Sequence, residues 1–258
     1  MNPIRLKIPE GFEFDTLISE DETSRGGGDT MIVKGTLRAV NASMQTRDRG
    51  LQLSHLEADN ADLMILEKGD MELDSFSGRK VNGSTGDLTA ASEKGNVTIR
   101  KIDADDVKLE VKTEGTILTG PTNASTAHLI TIKGDIMSEL FLSPLSLWCK
   151  TDEGDVAGTY GFPHQGASLE TKQGRIEAGI VGDSRTGGSF QLINDRGDVD
   201  VELIPSVSGT EYFQGTLEVF CPKGDINLNG NCESRYAKMV FGDWSVIQHC
   251  LCRKLTMK

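Results

Sequence analysis

The sequence predicts an all-β protein built as one parallel β-solenoid of about nine or ten coils, with about 20 residues in each coil. Three observations predict it. The first is a returning phrase of Lys, Glu or Arg, then Gly, then Asp or Asn, then an apolar-x-apolar triplet. It stands at Lys68-Gly69-Asp70-Met71-Glu72-Leu73, Lys94-Gly95-Asn96-Val97-Thr98-Ile99, Lys133-Gly134-Asp135-Ile136, Glu153-Gly154-Asp155-Val156, Arg196-Gly197-Asp198-Val199 and Lys223-Gly224-Asp225-Ile226. The second is spacing: with Gly50, Gly115 and Gly174 included, the glycines are separated by 19, 26, 20, 19, 20, 20, 23 and 27 residues. The third is alternation on both sides of each phrase, as in Val107-Lys108-Leu109-Glu110-Val111 and Leu217-Glu218-Val219-Phe220. Side chains that alternate with period two put every second residue on one face, the signature of half-buried strands and not of helices.

Taken from the N-terminus, Ile4 to Ile8 reads as a starting strand, and the acidic, Gly-rich stretch Ser19 to Asp29 as a mobile surface loop. Residues 1–29 then form the entry, residues 30–245 the repeat domain, and residues 246–258 a C-terminal cap with a basic tail. Within the repeat, a unit of about 20 residues cannot bury its own apolar face, so units stack about 4.8 Å apart and pair their strands with their equivalents above and below. The glycine supplies positive φ at a sharp corner, and the Asp or Asn after it bonds its own backbone. This assigns a structural turn to Gly69, Asp70, Gly95, Asn96, Gly134, Asp135, Gly154, Asp155, Gly197, Asp198, Gly224 and Asp225. Stacking brings the corner carboxylates together, and the Lys or Arg before each Gly forms a basic row that relieves them. The period is too long for the nonapeptide β-rolls that hold calcium on such rows. From Cys232 onward the repeat fades into a closing cap, which a solenoid needs to cover its last strand edge.

Composition limits function. The chain has 258 residues, 37% hydrophobic but only 5% aromatic, which suits a thin core of Val, Ile, Leu and Ala. With 27 basic against 39 acidic residues the formal charge is −12, which opposes nonspecific nucleic-acid binding. No apolar run approaches the roughly 20 residues of a membrane span. The start, Met1 to Pro9, has neither the apolar region of a secretory signal nor the Arg-rich character of a transit peptide. A cytoplasmic location is expected, or a mitochondrial one if a targeting segment precedes this sequence. The five cysteines, odd in number and scattered, do not read as a disulfide framework.

The segment Glu67-Lys68-Gly69-Asp70-Met71-Glu72-Leu73, with Gly86-Asp87-Leu88 and Lys94-Gly95-Asn96-Val97-Thr98-Ile99, resembles the adhesin family of β-solenoid repeat domains, whose members repeat Gly-Asp-apolar-x-apolar turns. The resemblance covers residues 30–245. In lacking a signal or anchor the chain is most similar to the family's eukaryotic "family with sequence similarity 185 member A" type. The resemblance implies the solenoid fold and an adhesin-like binding role, and it supplies no catalytic residues.

Chemistry was sought on this scaffold. Polysaccharide-cleaving β-helices set carboxylates and a base on neighbouring coils. The nearest candidates are Asp183 with Arg185 and Asp195 with Arg196, which give a rival reading as a carbohydrate-active enzyme. Cys232, His249, Cys250 and Cys252 are the weak candidates for a zinc or copper site, although no paired ligand spacing accompanies them. No cofactor motif is present. The leading expectation is a non-enzymatic scaffold that binds an unknown protein or glycan. It places sequence variation in the connections Gly78 to Gly86, Gly158 to Gly166, Gly182 to Gly188 and Ser206 to Gly215, with Tyr160, Phe162, Tyr212 and Phe213 either as partner contacts or as rings folded back over the solenoid.

Overall fold

A computed structural model describes residues 13–21, 30–79, 85–142, 144–161, 163–181, 188–204, 216–233, 237–241, 244–248 and 251–257, and every regular element among them is a β-strand. The first are β1 (Glu13–Asp21), β2 (Met31–Thr46), β3 (Leu51–Ile65), β4 (Met71–Gly78), β5 (Asp87–Lys94), β6 (Val97–Ile99) and β7 (Ile102–Glu114). There follow β8 (Ile117–Thr119), β9 (Thr122–Lys133), β10 (Ile136–Leu142), β11 (Ser146–Glu153), β12 (Val156–Gly161), β13 (Gly166–Gln173) and β14 (Ile176–Val181). The chain closes with β15 (Ser189–Asn194), β16 (Val199–Ile204), β17 (Thr216–Phe220), β18 (Ile226–Glu233), β19 (Ala237–Phe241), β20 (Trp244–Gln248) and β21 (Leu251–Met257).

The pairing is that of a β-solenoid. One row of parallel strands runs through the opening halves of β2 and β3 and then β4, β6, β8, β10, β12, β14, β16 and β18. A second row runs through β1, the closing halves of β2 and β3, and then β5, β7, β9, β11, β13, β15 and β17. Eight coils lie between successive corners from Gly50 to Gly224, slightly fewer than the nine or ten expected. The turns of β2 and β18 extend the stack but are not closed by a glycine corner at both ends.

Register makes the core. Leu51, Met71, Val97, Ile117, Ile136, Val156, Ile176 and Val199 stand directly over one another on the first row and are buried. On the second row Leu63, Ala90, Leu109, Leu129, Cys149, Leu169, Leu192 and Val219 do the same. Burying each larger side chain contributes roughly 1.5–3 kcal/mol, and a column repeats that gain in every coil. A slip of one residue would turn a whole column to water, so the alternation itself fixes the register.

The two ends are built differently from the middle. At the start β1 pairs in parallel with the closing half of β2, from Glu13 opposite Arg38 to Asp21 opposite Thr46. Ser19 to Asp21, expected in a surface loop, therefore close a strand, because pairing with the β2 backbone overrides the acidic side chains. The expected strand Ile4 to Ile8 lies outside the described residues. At the far end parallel stacking stops: β21 runs antiparallel to β18, and β19 and β20 form an antiparallel hairpin. A reversed strand on the last coil ends the repeating template, as a cap must.

Candidate functional site

Each coil turns at two edges, and one of them is the Gly-Asp corner. Gly134 has φ +143°, and a Cβ there would lie 2.2 Å from the carbonyl oxygen of Gly115 one coil earlier. Gly95, Gly154, Gly174, Gly197 and Gly224 sit equally close to the preceding corner's carbonyl. The glycines thus form a column in which backbone packs on backbone. The Asp and Asn that follow do not bond their own turn, as expected from sequence, but the next coil. The Oδ1 atoms of Asp70, Asn96, Asp135, Asp155 and Asp198 accept the backbone N–H groups of Asn96, Thr116, Asp155, Arg175 and Asp225 at 2.7–2.9 Å. Stacking places a next-coil amide against each of these side chains.

A second ladder runs inside the same edge. Thr131, Thr151 and Thr171, each three residues before a corner glycine, point inward and donate from Oγ1 to the carbonyls of Gly115, Gly134 and Gly154 at 2.8–2.9 Å. Asn194 donates from Nδ2 to Gly174, and Cys221 from Sγ to Gly197. These are buried polar groups that satisfy the very carbonyls the glycine column would otherwise leave under a neighbouring coil. The signal was present: Ser92, Thr131, Thr151, Thr171, Asn194 and Cys221 each stand three residues before the corner glycine.

The expected basic row is interrupted by Glu114, Glu153 and Gln173. Within that row Lys94 pairs with Glu114 at 2.6 Å and Lys133 with Glu153 at 3.0 Å. The hydrogen bond from Lys94 holds the Glu114 carboxyl below its ordinary range. Repulsion between the corner acids is eased instead by the amides they accept and by Asn96, Thr116 and Arg175 in the row.

The opposite edge joins first-row strands to second-row strands, and the large departures from the 20-residue period fall there. The steps of 26, 23 and 27 residues reflect the connections β4–β5, β14–β15 and β16–β17. Inside this edge Phe141, Tyr160 and Phe190 pile up with ring centroids 6.1 Å apart. Tyr160, read from sequence as a partner contact or as a ring folded back over the solenoid, is 0% exposed and so is not a partner contact. Its strand continues through Gly158, whose missing side chain leaves room for the phenol beside Ser138 and Cys149, without a well-formed hydrogen bond. Burial pushes the Tyr160 phenol and the Cys149 thiol well above their ordinary ranges. Phe162, Tyr212 and Phe213 lie outside the described residues.

The outer surface of the second row carries what the sequence reading missed. Trp148 on β11 projects from this sheet between His128 on β9 and Ser168 on β13. The His128 ring meets its edge at 5.7 Å, Lys150 Nζ stands 5.7 Å from its centroid, and its Nε1–H donates to Glu170 Oε1 at 3.0 Å. Lys150 and Glu170 are 3.6 Å apart, and Lys172 pairs with Asp152 at 2.8 Å nearby. Exposed Ile132 adds apolar surface. An indole held by a polar collar on a flat sheet suits recognition, because it presents area with little freedom to lose. Its signal in the sequence was a tryptophan at an outward position of the alternation Leu147-Trp148-Cys149.

The remaining candidates are dispersed. Asp195 and Arg196 are exposed turn residues of a Gly-Asp corner. Asp183 and Arg185, the other half of that reading, belong to the segment 182–187. Those two residues lie outside the described set. His55 Nδ1 and Ser75 Oγ share a 2.6 Å hydrogen bond, but this is one of the rung-to-rung pairs of the surface, like Gln52 with Glu72 and Asn60 with Asn41. Of the four metal candidates, Cys232 and Cys252 are opposed in the register of β18 and β21, while His249 and Cys250 lie outside the described residues. Among the described residues no cluster of three or more His, Cys, Asp or Glu is placed to hold a metal ion, and no helix is long and apolar enough to cross a membrane. Comparison with family models, with curated proteins and with solved structures finds no match.

Proposed function

We propose that this chain is a non-enzymatic β-solenoid scaffold, adhesin-like in character, that binds a protein or glycan partner on the outer sheet of its second row. One observation supports this reading above the others. Phe76, Phe141, Tyr160 and Phe190 are spent inside the core, whereas Trp148 is held at the surface by His128, Lys150 and Glu170. The charge of −12 favours a partner other than nucleic acid. The reading carries a cytoplasmic location, or a mitochondrial one if a targeting segment precedes the sequence.

The test pairs a glycan array with proximity labelling in the native cell, followed by affinity measurement on the Trp148→Ala chain. A partner whose affinity falls about tenfold or more in that variant, with the strand signal in circular dichroism unchanged, supports the reading. A partner that binds both chains equally removes Trp148 from it. Polysaccharide cleavage above the buffer control would replace the scaffold with the rival enzyme.

A further inference from the structure

The outer surface of the first row carries an apolar centre inside an acidic frame. One outward column runs through Glu72, Thr98, Leu118, Met137, Ala157, Glu177 and Asp200, each directly opposite the next in the parallel register. Four uncharged positions therefore lie between Glu72 and Glu177. Leu118 is 43% exposed and Met137 40%, and they face each other across β8 and β10, so they make one patch and not two scattered residues. The half-buried residues around them, Thr98, Gly120, Ala157, Thr159 and Gly179, are small, so the sheet beside the pair stays low. The outward positions of β4, β6, β8, β10, β12, β14 and β16 hold Glu72, Asp74, Glu139, Glu177, Asp200 and Glu202 and no basic residue. Arg100 reaches Asp74 at 3.2 Å from a flanking turn, and Arg175 reaches Asp200 at 2.7 Å and Glu177 at 3.6 Å. Among the described residues no such cation reaches Glu72, Glu139 or Glu202.

The strands beneath the patch are paired on both sides, so a partner cannot join them as a further strand and must be met by side chains. A helix, which satisfies its own backbone, can lie on such a surface. From the apolar pair inside this acidic frame, we infer that the first-row face docks a cationic amphipathic helix of a partner protein, on a surface separate from that of Trp148. The rungs set its dimensions. Thr98 to Ala157 spans three rungs, about 14 Å, which matches about nine or ten residues of helix, and Glu72 to Glu177 spans five rungs, about 24 Å or 16 residues. The helix lies along the column with apolar side chains at i, i+3, i+4 and i+7 over Leu118 and Met137, and with Lys or Arg near each end against Glu72 and Glu177. Met137, unbranched, adapts its shape to the side chain above it. A second copy of this face is the wrong occupant, because it would set acid against acid.

The experiment titrates the full chain into a fluorescent 18-residue peptide of Leu, Ala and Lys and reads anisotropy. Its leucines stand at helical spacing through the middle and its lysines in the first and last turns. One comparison peptide has Glu for each Lys, and another has two central prolines. The lysine peptide is expected to bind, and the other two to bind at least tenfold more weakly. The Leu118→Ser, Met137→Ser chain, with its circular dichroism unchanged, should lose about tenfold or more, and Met137→Ser alone should move in the same direction. Glu72→Gln with Glu177→Gln should weaken binding several-fold and make it less sensitive to salt, while Trp148→Ala leaves it unchanged. No binding of the lysine peptide, equal affinity for the proline peptide, or equal affinity in the Leu118→Ser, Met137→Ser chain would overturn the proposal. A loss confined to Trp148→Ala would move the binding to the second row and overturn it as well.

Discussion

At one edge of the solenoid Gly134, Asp135 and Thr151 tie each coil to its neighbours through backbone contacts. At the other, the chain crosses from one row to the next through connections of unlike length, and Phe141, Tyr160 and Phe190 stack inside the edge. The first edge repeats because its parts interlock: the glycine admits the carbonyl of the coil before, the inward threonine satisfies that carbonyl, and the carboxylate takes the next coil's amide. Altering any one disturbs two coils. The second edge holds its interior by shape and apolar area, which accept many sequences of similar volume. Lengthening a surface connection adds little closure entropy, so insertions gather there. Constancy at one edge sets the stack, and variety at the other leaves it undisturbed.

That contrast can be broken most severely at the glycine column. Gly134→Ala places a methyl group 2.2 Å from the Gly115 carbonyl at φ +143°, and urea unfolding should show a loss of about 3 kcal/mol or more. The aromatic edge is next, and it is read through pH. Tyr160 and Cys149 have folded-state pKa values raised above those of the unfolded chain, so their neutral forms stabilise the fold fully below the unfolded values and progressively less above them. Stability should fall from about pH 8.5 for the thiol and about pH 10 for the phenol, by up to about 1.4 kcal/mol per pH unit for each group. The Tyr160→Phe, Cys149→Ala double variant should unfold at higher pH with that slope removed, as followed by circular dichroism.

The inner ladder should respond more modestly. Thr151→Val keeps the volume but leaves the Gly134 carbonyl without its hydroxyl, with an expected cost of about 1–2 kcal/mol in denaturant titrations. At the outer ladder Asp155→Ala removes the acceptor of the Arg175 amide and should cost about 1 kcal/mol. Asp155→Asn should recover most of it, since Asn96 fills the equivalent place. Smallest of all, four residues added within the 205–215 connection should change stability by less than about 1 kcal/mol. A large loss there would erase the distinction between the edges.

Much of the fold was legible because its cause is local and repeated. The Gly-Asp phrase, the spacing near 20 and the alternation all recur, and each recurrence confirms the same side-chain face and the same turn. The partner of the corner carboxylate was not legible. Asp135 accepts the amide of Asp155, 20 residues away, and within a single turn its own backbone looked equally able to serve. Tyr160 misled for a related reason: it lies beyond Gly158 in a glycine-rich stretch that reads as a loop, yet Gly158 is the gap that lets its ring enter the core. Trp148 was passed over because an outward position in an alternating strand is ordinary until its neighbours in other coils are known.

By itself the sequence determined that the chain forms strands, where it turns and which side chains face inward, since all three follow from steric preference and period-two alternation within about 20 residues. Only the tertiary structure decided which atoms meet between coils: Asp70 with the Asn96 amide, Thr171 with the Gly154 carbonyl, and Trp148 with His128 and Glu170. The physical reason is that a hydrogen bond or ring contact depends on distances of a few ångströms in space, and stacking converts a separation of some 20 residues along the chain into one rung across it.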